Sequence, residues 1–81
     1  MWIRSQNKKI LSKVNEVLIC TMDDNKYFIE GFWDRGSDTL GIYSSEEKAL
    51  KVLDQIQYNM EPFEHEPTMV FQMPQDEDVE V

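Results

Sequence analysis

The sequence predicts an α+β domain, in which a small antiparallel sheet of about five strands, arranged as a meander, is covered on one face by a single α-helix. Short segments rich in β-branched and aromatic residues predict the strands, and one amphipathic segment predicts the helix. At 81 residues the chain has room for one hydrophobic core. We therefore expect one domain over residues 1–74, followed by an acidic C-terminal tail over residues 75–81.

The first two strands should form a hairpin. Residues 2–4 begin an extended segment, and the polar residues 6–9 include Asn7, which favours turns. Ile10 and Leu11 then begin the returning strand, so we expect the hairpin to supply the first two strands of the sheet.

Three longer strands should follow the hairpin. Residues 16–22 are rich in β-branched residues and apolar on both faces, which predicts a central strand. Residues 27–33 form the second strand and residues 39–43 the third. Turn-forming residues at 23–25 and 34–38 connect them, so a meander is the simplest topology.

One amphipathic helix should follow the third strand. Ser44 as N-cap and Glu47 three residues later form a capping box, worth about 1 kcal/mol. The apolar positions at helical spacing are Ala49, Val52, Leu53, Ile56 and Met60, with Leu50 widening the stripe. This stripe predicts that one helix face packs on the sheet. Pro62 predicts that the helix ends near Asn59.

The rest of the sequence predicts a loop, a last strand and a tail. Prolines bound a loop at residues 61–67, and residues 69–73 can add a strand that Pro74 stops. Residues 75–81 contain four acids in seven positions, which is typical of a solvated tail.

Charge is the clearest functional feature of the sequence. Sixteen acids against eight bases give a net charge of −8, which argues against nucleic acid or an anionic membrane as a direct partner. Residues 1–13 contain four bases and no acid, whereas residues 61–81 contain seven acids and neither Lys nor Arg. The two ends attract each other within the fold, or they merely keep the protein soluble, or the acids dock on a basic protein surface. The protein-binding candidates are Glu61, Glu64, Glu66, Asp76, Glu77, Asp78 and Glu80.

A second candidate site lies among the basic residues. Trp2 adjoins a local charge of +4 in residues 1–13, a combination that suits a small anionic ligand with an aromatic ring. A dimeric module that sequesters a nucleotide would use it. The ligand-binding candidates are Trp2, Arg4, Lys8 and Lys9.

No residue pattern indicates a reaction, a metal or a cofactor. His65 is the only histidine and lies in a predicted loop, so a serine nucleophile would lack an oriented base. One His and one Cys cannot supply the four ligands of structural zinc, and the three glycines form no phosphate loop. We therefore expect no enzyme activity, no catalytic residue, no metal and no cofactor. Cys20 is expected to be a small buried hydrophobe.

The sequence also predicts where the protein resides and how it assembles. The longest apolar run, residues 17–20, is far shorter than the roughly 18 residues of a membrane span, and no signal peptide pattern opens the chain, so a cytoplasmic location is expected. Most of the strand aromatics should be in the core, although a sheet face that the helix leaves uncovered would expose some. These aromatics are Trp2, Tyr27, Phe28, Phe32, Trp33 and Tyr43. Their number favours a homodimer or a hydrophobic partner surface.

Three segments resemble a known family. They are Ser5-Gln6-Asn7-Lys8-Lys9-Ile10, then Leu40-Gly41-x-Tyr43 running into Glu47-Lys48-Ala49-x-x-Val52-Leu53-x-x-Ile56-Gln57, and Phe71-Gln72-Met73-Pro74. In these segments the chain resembles short proteins encoded by Gram-positive bacteria and their phages or prophages, with Asn7 where an Asp is expected. The resemblance implies a mobile-element origin and an α+β layout, and it carries over no catalytic residue.

This resemblance suggests a class of function. Small acidic phage proteins are often inhibitors of host defence, including anti-CRISPR proteins that cover the nucleic-acid channel of a nuclease. By analogy with that class, we expect a non-enzymatic protein that inhibits a basic host protein by binding it. The alternatives are the nucleotide-sequestering module and an interaction domain with neither activity.

Overall fold

Six strands, one α-helix and one 3-10 turn make up the residues that the structure describes, which are 2–23, 25–60 and 70–81. The elements of this computed structural model are β1 (Trp2–Arg4), β2 (Leu11–Lys13), β3 (Glu16–Asp23), β4 (Lys26–Trp33), β5 (Gly36–Tyr43), α1 (Glu46–Met60), β6 (Val70–Gln72) and the 3-10 turn Asp76–Asp78. The predicted α+β class is confirmed. The predicted loop at 61–67 lies outside the described residues.

The strands form two three-stranded sheets, whereas the sequence predicts one sheet of about five strands. β2, β1 and β6 form the first sheet in that order, and β3, β4 and β5 form the second. Between β2 and β3 the side chain of Val14 turns into the core, where it is 2% exposed. Residues 14 and 15 connect the two sheets, which share one core.

The second sheet is the predicted meander, with both of its strand pairs antiparallel. β4 is its central strand, so the prediction that residues 16–22 form a central strand is wrong. β3 lies at the edge of the sheet, and its second apolar face contributes to an exposed surface described below. Leu40 is an extra residue in β5 opposite the step from Ile29 to Glu30, and this bulge places Leu40 in the core.

The last strand pairs in parallel, which corrects the prediction of a fully antiparallel sheet. β6 lies beside β1 with Trp2 opposite Val70 and Arg4 opposite Gln72, and the Met73 N–H donates to Arg4 O at 3.0 Å. Parallel neighbours require a long crossover connection, which the meander and α1 provide here. β1 is therefore the central strand of the first sheet.

The helix is capped one residue later than predicted. The Lys48 N–H donates to Ser45 Oγ at 3.2 Å, so Ser45 is the N-cap and the predicted capping box of Ser44 and Glu47 is wrong. The backbone N–H and the hydroxyl of Ser44 instead donate to the carboxylate of Asp76. Ser44, which the local pattern favoured as the N-cap, is therefore bound to a carboxylate that is distant in sequence.

The apolar stripe of α1 packs on the second sheet as predicted. Ala49, Val52 and Ile56 are buried and Leu53 is half-buried. Leu50 is 46% exposed, so it lies outside the stripe that it was predicted to widen. The helix ends at residue 60, one residue beyond the predicted end.

The core is shared by both sheets, the helix and the C-terminal segment. Its buried apolar residues are Ile3, Val14, Ile29, Leu40, Tyr43, Ala49, Val52, Ile56, Met73 and Val79. Val79 is 5% exposed, and the prediction that residues 75–81 form a solvated tail is therefore wrong. Burial of Val79 contributes roughly 1.5–3 kcal/mol to holding this short segment against the domain. Hydrogen bonds of Pro74, Gln75 and Asp76 hold it as well.

Candidate functional site

The segments that carry the family resemblance meet around Gln6. Its backbone N–H donates to Leu40 O at 2.7 Å, and its side-chain amide bonds the backbone of Ile42 and the Pro74 carbonyl. Gln75 Nε2 donates to Gln6 O at 2.7 Å. These polar groups are engaged inside the fold, which supports a structural role for the three segments.

The turn between β1 and β2 is held by its own side chains. Ser5 Oγ donates to Asn7 Oδ1 at 2.6 Å, and the Lys9 N–H donates to the same oxygen at 2.9 Å. Lys8 has a φ of 68°, a conformation that is costly for any residue with a side chain. An Asp carboxylate would accept the same two bonds, so Asn7 in place of Asp preserves this turn.

Most of the predicted ligand-binding residues lie on or beside one face of the first sheet. Because Ile3 on β1 and Ser12 on β2 point inward, Trp2 and Arg4 point outward, with Lys13 opposite Trp2. This basic face comprises Trp2, Arg4, Leu11, Lys13, Val70 and Gln72. It contains no acidic residue.

Two cations on or beside the basic face, Arg4 and Lys8, bond to neutral acceptors. Arg4 Nε donates to Lys8 O at 2.8 Å, and Lys8 Nζ donates to Gln72 Oε1 at 3.1 Å. Lys9 is exposed in the turn. No ion pair joins the hairpin to a C-terminal acid within the described ranges, so the expected attraction between the two ends is not observed there.

Asp76, a predicted protein-binding residue, is used inside the fold. Its Oδ1 accepts from Ser44 N at 2.9 Å and from Ser44 Oγ at 3.1 Å, and Lys48 Nζ lies 3.7 Å from the same oxygen. The pKa of Asp76 is lowered, first by the hydrogen bond from the Ser44 backbone and further by Ser44 Oγ and the Lys48 charge, while partial burial opposes the shift. This carboxylate fastens the C-terminal segment to the start of α1.

Tyr43 fastens the same segment from within the core. Its hydroxyl donates to Pro74 O at 2.7 Å, and the ring is buried. Burial, together with the charge of Asp76, raises the pKa of Tyr43 far above its ordinary value. The neutral phenol is therefore the form that the fold requires.

Three of the predicted protein-binding acids are exposed beside the first turns of the helix. Glu77, Asp78 and Glu80 are exposed, and Val81 lines a shallow hollow of about 300 Å³ with Glu47, Leu50, Lys51 and Asp54. The acidic surface comprises Glu46, Glu47, Asp54, Glu77, Asp78 and Glu80, and Lys48 and Lys51 are the bases among them. Glu61, Glu64 and Glu66 lie outside the described residues. The sequence pattern missed the helix acids because only the fold brings them beside the C-terminal ones.

The side of the second sheet opposite α1 is largely apolar, with Glu30 and Thr39 among its side chains. This apolar face comprises Leu18, Cys20, Phe28, Phe32 and Ile42, which alternate with the inward residues of the three strands. Ile42 is 44% exposed and the other four are half-buried. At one end of this face a groove of about 630 Å³ is lined by Gln6, Asn7, Ile10, Lys26, Phe28, Thr39, Leu40, Gly41 and Ile42.

Two expectations about individual side chains are corrected by these positions. Of the six strand aromatics, Tyr43 alone is fully buried, whereas Trp2 and Trp33 are each 38% exposed. Cys20, expected to be buried, is half-buried on the apolar face. Cys20 and Trp2 lie on sheet faces that the helix does not cover, whereas Trp33 is exposed because it is the last residue of β4.

The described residues form neither a metal-binding cluster nor a membrane-spanning helix. No three His, Cys, Asp or Glu side chains in the described ranges come together as a group that would hold a metal ion, and His65 lies outside those ranges. The described helix is too short and too polar to cross a membrane. Comparisons with family models, with curated proteins and with solved structures found no match to this chain.

Proposed function

We propose that this protein is a non-enzymatic binding protein that inhibits a basic host protein by docking its acidic surface on that protein. The observation that carries this proposal is the attachment of the C-terminal acids to the fold through Val79 and Asp76. Glu77, Asp78 and Glu80 are thereby held next to the acids of α1, so little conformational entropy remains to be lost on binding.

The charge pattern supports a basic partner. Clustered exposed carboxylates steer a positively charged surface toward them and speed association, an effect that weakens as salt screens the charges. The resemblance to phage-encoded proteins supports a defence protein of the host as the target, in the manner of an anti-CRISPR protein that blocks a nucleic-acid-binding surface. The host cytoplasm is the compartment in which such an inhibitor would act.

Capture of partners at two salt concentrations tests the proposal. The immobilised chain should retain a specific basic protein from the cells that contain it at low salt and release it at high salt. Neutralising two exposed acids in the E77Q/D78N variant should weaken that capture by about tenfold, since two favourable charge contacts are lost.

A control variant separates local charge from total charge. Asp34→Lys also changes the net charge by two, but Asp34 lies in the turn before β5, away from the acidic surface. It should leave capture within twofold of the unmodified chain. An absence of partners at both salt concentrations, or equal losses for the two variants, would overturn the proposal.

A second function rests on the basic face. Trp2, Arg4 and Lys13 lie together on it without an acid, an arrangement that suits stacking of a nucleobase beside its phosphate. Under this hypothesis the protein sequesters a nucleotide. Native mass spectrometry of the protein purified from the cells that make it should then show a bound anion of nucleotide mass, whereas uniformly empty protein would contradict it.

A further inference from the structure

The apolar face breaks the usual pattern of a half-solvated antiparallel sheet. Such sheets alternate apolar residues toward the core with polar residues toward water. In β3 and β4 both sets are largely apolar, because Val17 and Ile19 pack toward the core while Leu18 and Cys20 share the opposite side with Phe28. Since α1 occupies the core side of this sheet, the described chain leaves the apolar face uncovered.

Among the residues that the structure describes, three charged side chains lie on this face, one at each end and one between them. Lys26 begins β4 beside the groove, and Glu16 begins β3 opposite Phe32 at the other end of β4. Between them, the carboxylate of Glu30 accepts from Ser37 Oγ at 3.1 Å and from Thr39 Oγ1 at 2.6 Å. Glu30 is thus satisfied within its own sheet, which leaves one cation and one anion at opposite ends.

Lys26 and Glu16 cannot pair with each other in one chain. Phe32, the partner of Glu16, is six positions beyond Lys26, and a strand rises about 3.4 Å per residue. The two charges are therefore about 20 Å apart along the strand direction. They can meet only between two molecules.

We propose that two copies of this chain pack their apolar faces together about a two-fold axis, so that Lys26 of each copy meets Glu16 of the other. The two-fold axis lies in the plane between the packed sheets of the two copies and is perpendicular to their strands. Rotation about this axis reverses the strand direction, so each end of one apolar face lies over the opposite end of the other. An isologous contact of this kind requires a self-complementary patch, and one cation and one anion at exchangeable positions supply it.

The same two-fold axis brings an aromatic side chain of one copy to the groove of the other. Glu16 and Phe32 are neighbours across β3 and β4, so Phe32 accompanies Glu16 to the Lys26 end of the second copy. There the groove, with Phe28 and Ile42 in its wall, receives the aromatic ring. Burial of these side chains removes from water the apolar surface that the single chain exposes.

Electrostatics favours a second copy as the occupant. Two chains that each carry a net charge of −8 repel one another over most of their surfaces. The apolar face differs, because Lys26, Glu16 and Glu30 give it a net charge of only −1, and the charges at its two ends are placed to attract their counterparts. The acidic surface lies on the helix side of the sheet and stays free, so the dimer is independent of the proposed inhibition and would present that surface twice.

Two substitutions, at positions of similar exposure, test which surface of the chain forms the dimer. Ile42 on the apolar face is 44% exposed and Leu50 on α1 is 46% exposed, so a glutamate at either position perturbs the monomer to a similar degree. Sedimentation analysis over a range of concentrations should show the unmodified chain and Leu50→Glu as dimers. Ile42→Glu should dissociate at least tenfold more readily, with an unchanged circular dichroism spectrum.

A charge exchange tests the geometry of the dimer. Lys26→Glu and Glu16→Lys should each weaken dimerisation by several fold, because each brings like charges together. The K26E/E16K double variant should recover it, because the exchanged charges attract again between copies. A monomeric unmodified chain, equal effects of the Ile42 and Leu50 substitutions, or a double variant weaker than either single one would overturn the proposal.

Discussion

The side-chain amide of Gln6 bonds to both backbone groups of Ile42, much as a neighbouring strand would. Ile42 N–H donates to Gln6 Oε1 and Gln6 Nε2 donates to Ile42 O, each at 3.1 Å. Together with the bond from Gln6 N–H to Leu40 O, this closes part of the free edge of β5. Exposed strand edges invite pairing with other chains, so one glutamine protects this edge.

Replacing Gln6 with methionine should lower the free energy of unfolding by about 2–3 kcal/mol. The side chains are similar in size, but the variant loses the bonds to Ile42 and Pro74 and leaves backbone groups unsatisfied. Urea unfolding measures the change. Gln57→Met, at an exposed position of α1, is the control and should change stability by less than about 0.5 kcal/mol. Equal effects of the two substitutions would show that the Gln6 bonds contribute nothing.

Gly31 should not tolerate a methyl group. A Cβ there would lie 2.7 Å from both Leu40 Cδ1 and Val14 Cγ1, so Gly31→Ala should destabilise the domain by about 1–3 kcal/mol. Gly36→Ala is the control, because its Cβ would meet the Trp33 ring at an ordinary 3.4 Å. Thermal unfolding of both variants measures the difference. The G31A/V14A double variant should be less destabilised than the sum of its parts, and strict additivity would argue against the clash.

Tyr43 should make the fold sensitive to alkali. Its pKa is raised by burial, so the stability that the neutral phenol contributes is complete below the unfolded pKa near 10 and is lost as pH rises toward the higher folded value. Tyr43→Phe should be about 1 kcal/mol less stable at neutral pH, because the bond to Pro74 O is lost. The same variant should lose less stability above pH 10 than the unmodified chain. Urea unfolding at pH 7 and at pH 11 compares them, and parallel losses would contradict the assignment.

Asp76 should make the fold sensitive to acid. Its pKa is lowered by the bonds from Ser44, so its contribution is complete above the unfolded pKa of about 3.9 and is lost as pH falls through the lower folded value. Asp76→Ala should unfold more easily than the unmodified chain at pH 7, and the difference should shrink below pH 4. Glu77→Ala, which removes the neighbouring exposed acid, is the control. A difference that persists undiminished at pH 2 would exclude the carboxylate as the cause.

The hairpin, the meander and the helix could be predicted because each depends on residues near one another in sequence. Alternation with a period of two places Ile29 and Gly31 on the core side of β4, and helical spacing places Ala49, Val52 and Ile56 on the core side of α1. These patterns reflect directly which side chains are buried, so the sequence predicts these strands and the helix well.

The features that the sequence did not predict depend on contacts between distant residues. Ser44 and Ser45 are equally suited to cap α1, and the choice is made by Asp76, 32 positions beyond Ser44. The parallel partner of β6 and the burial of Val79 likewise follow from the assembled fold. For the same reason, no local pattern could place Glu77 beside the acids of the helix.

The pairing of β1 with β6 makes the first sheet a late product of synthesis. β1 lies at the start of the chain and its parallel neighbour begins at Val70, so this sheet and the burial of Met73 and Val79 are complete only after most of the chain has been made. A chain cut before residue 70 should therefore be more susceptible to proteolysis than the full chain, because β1 then lacks a neighbouring strand.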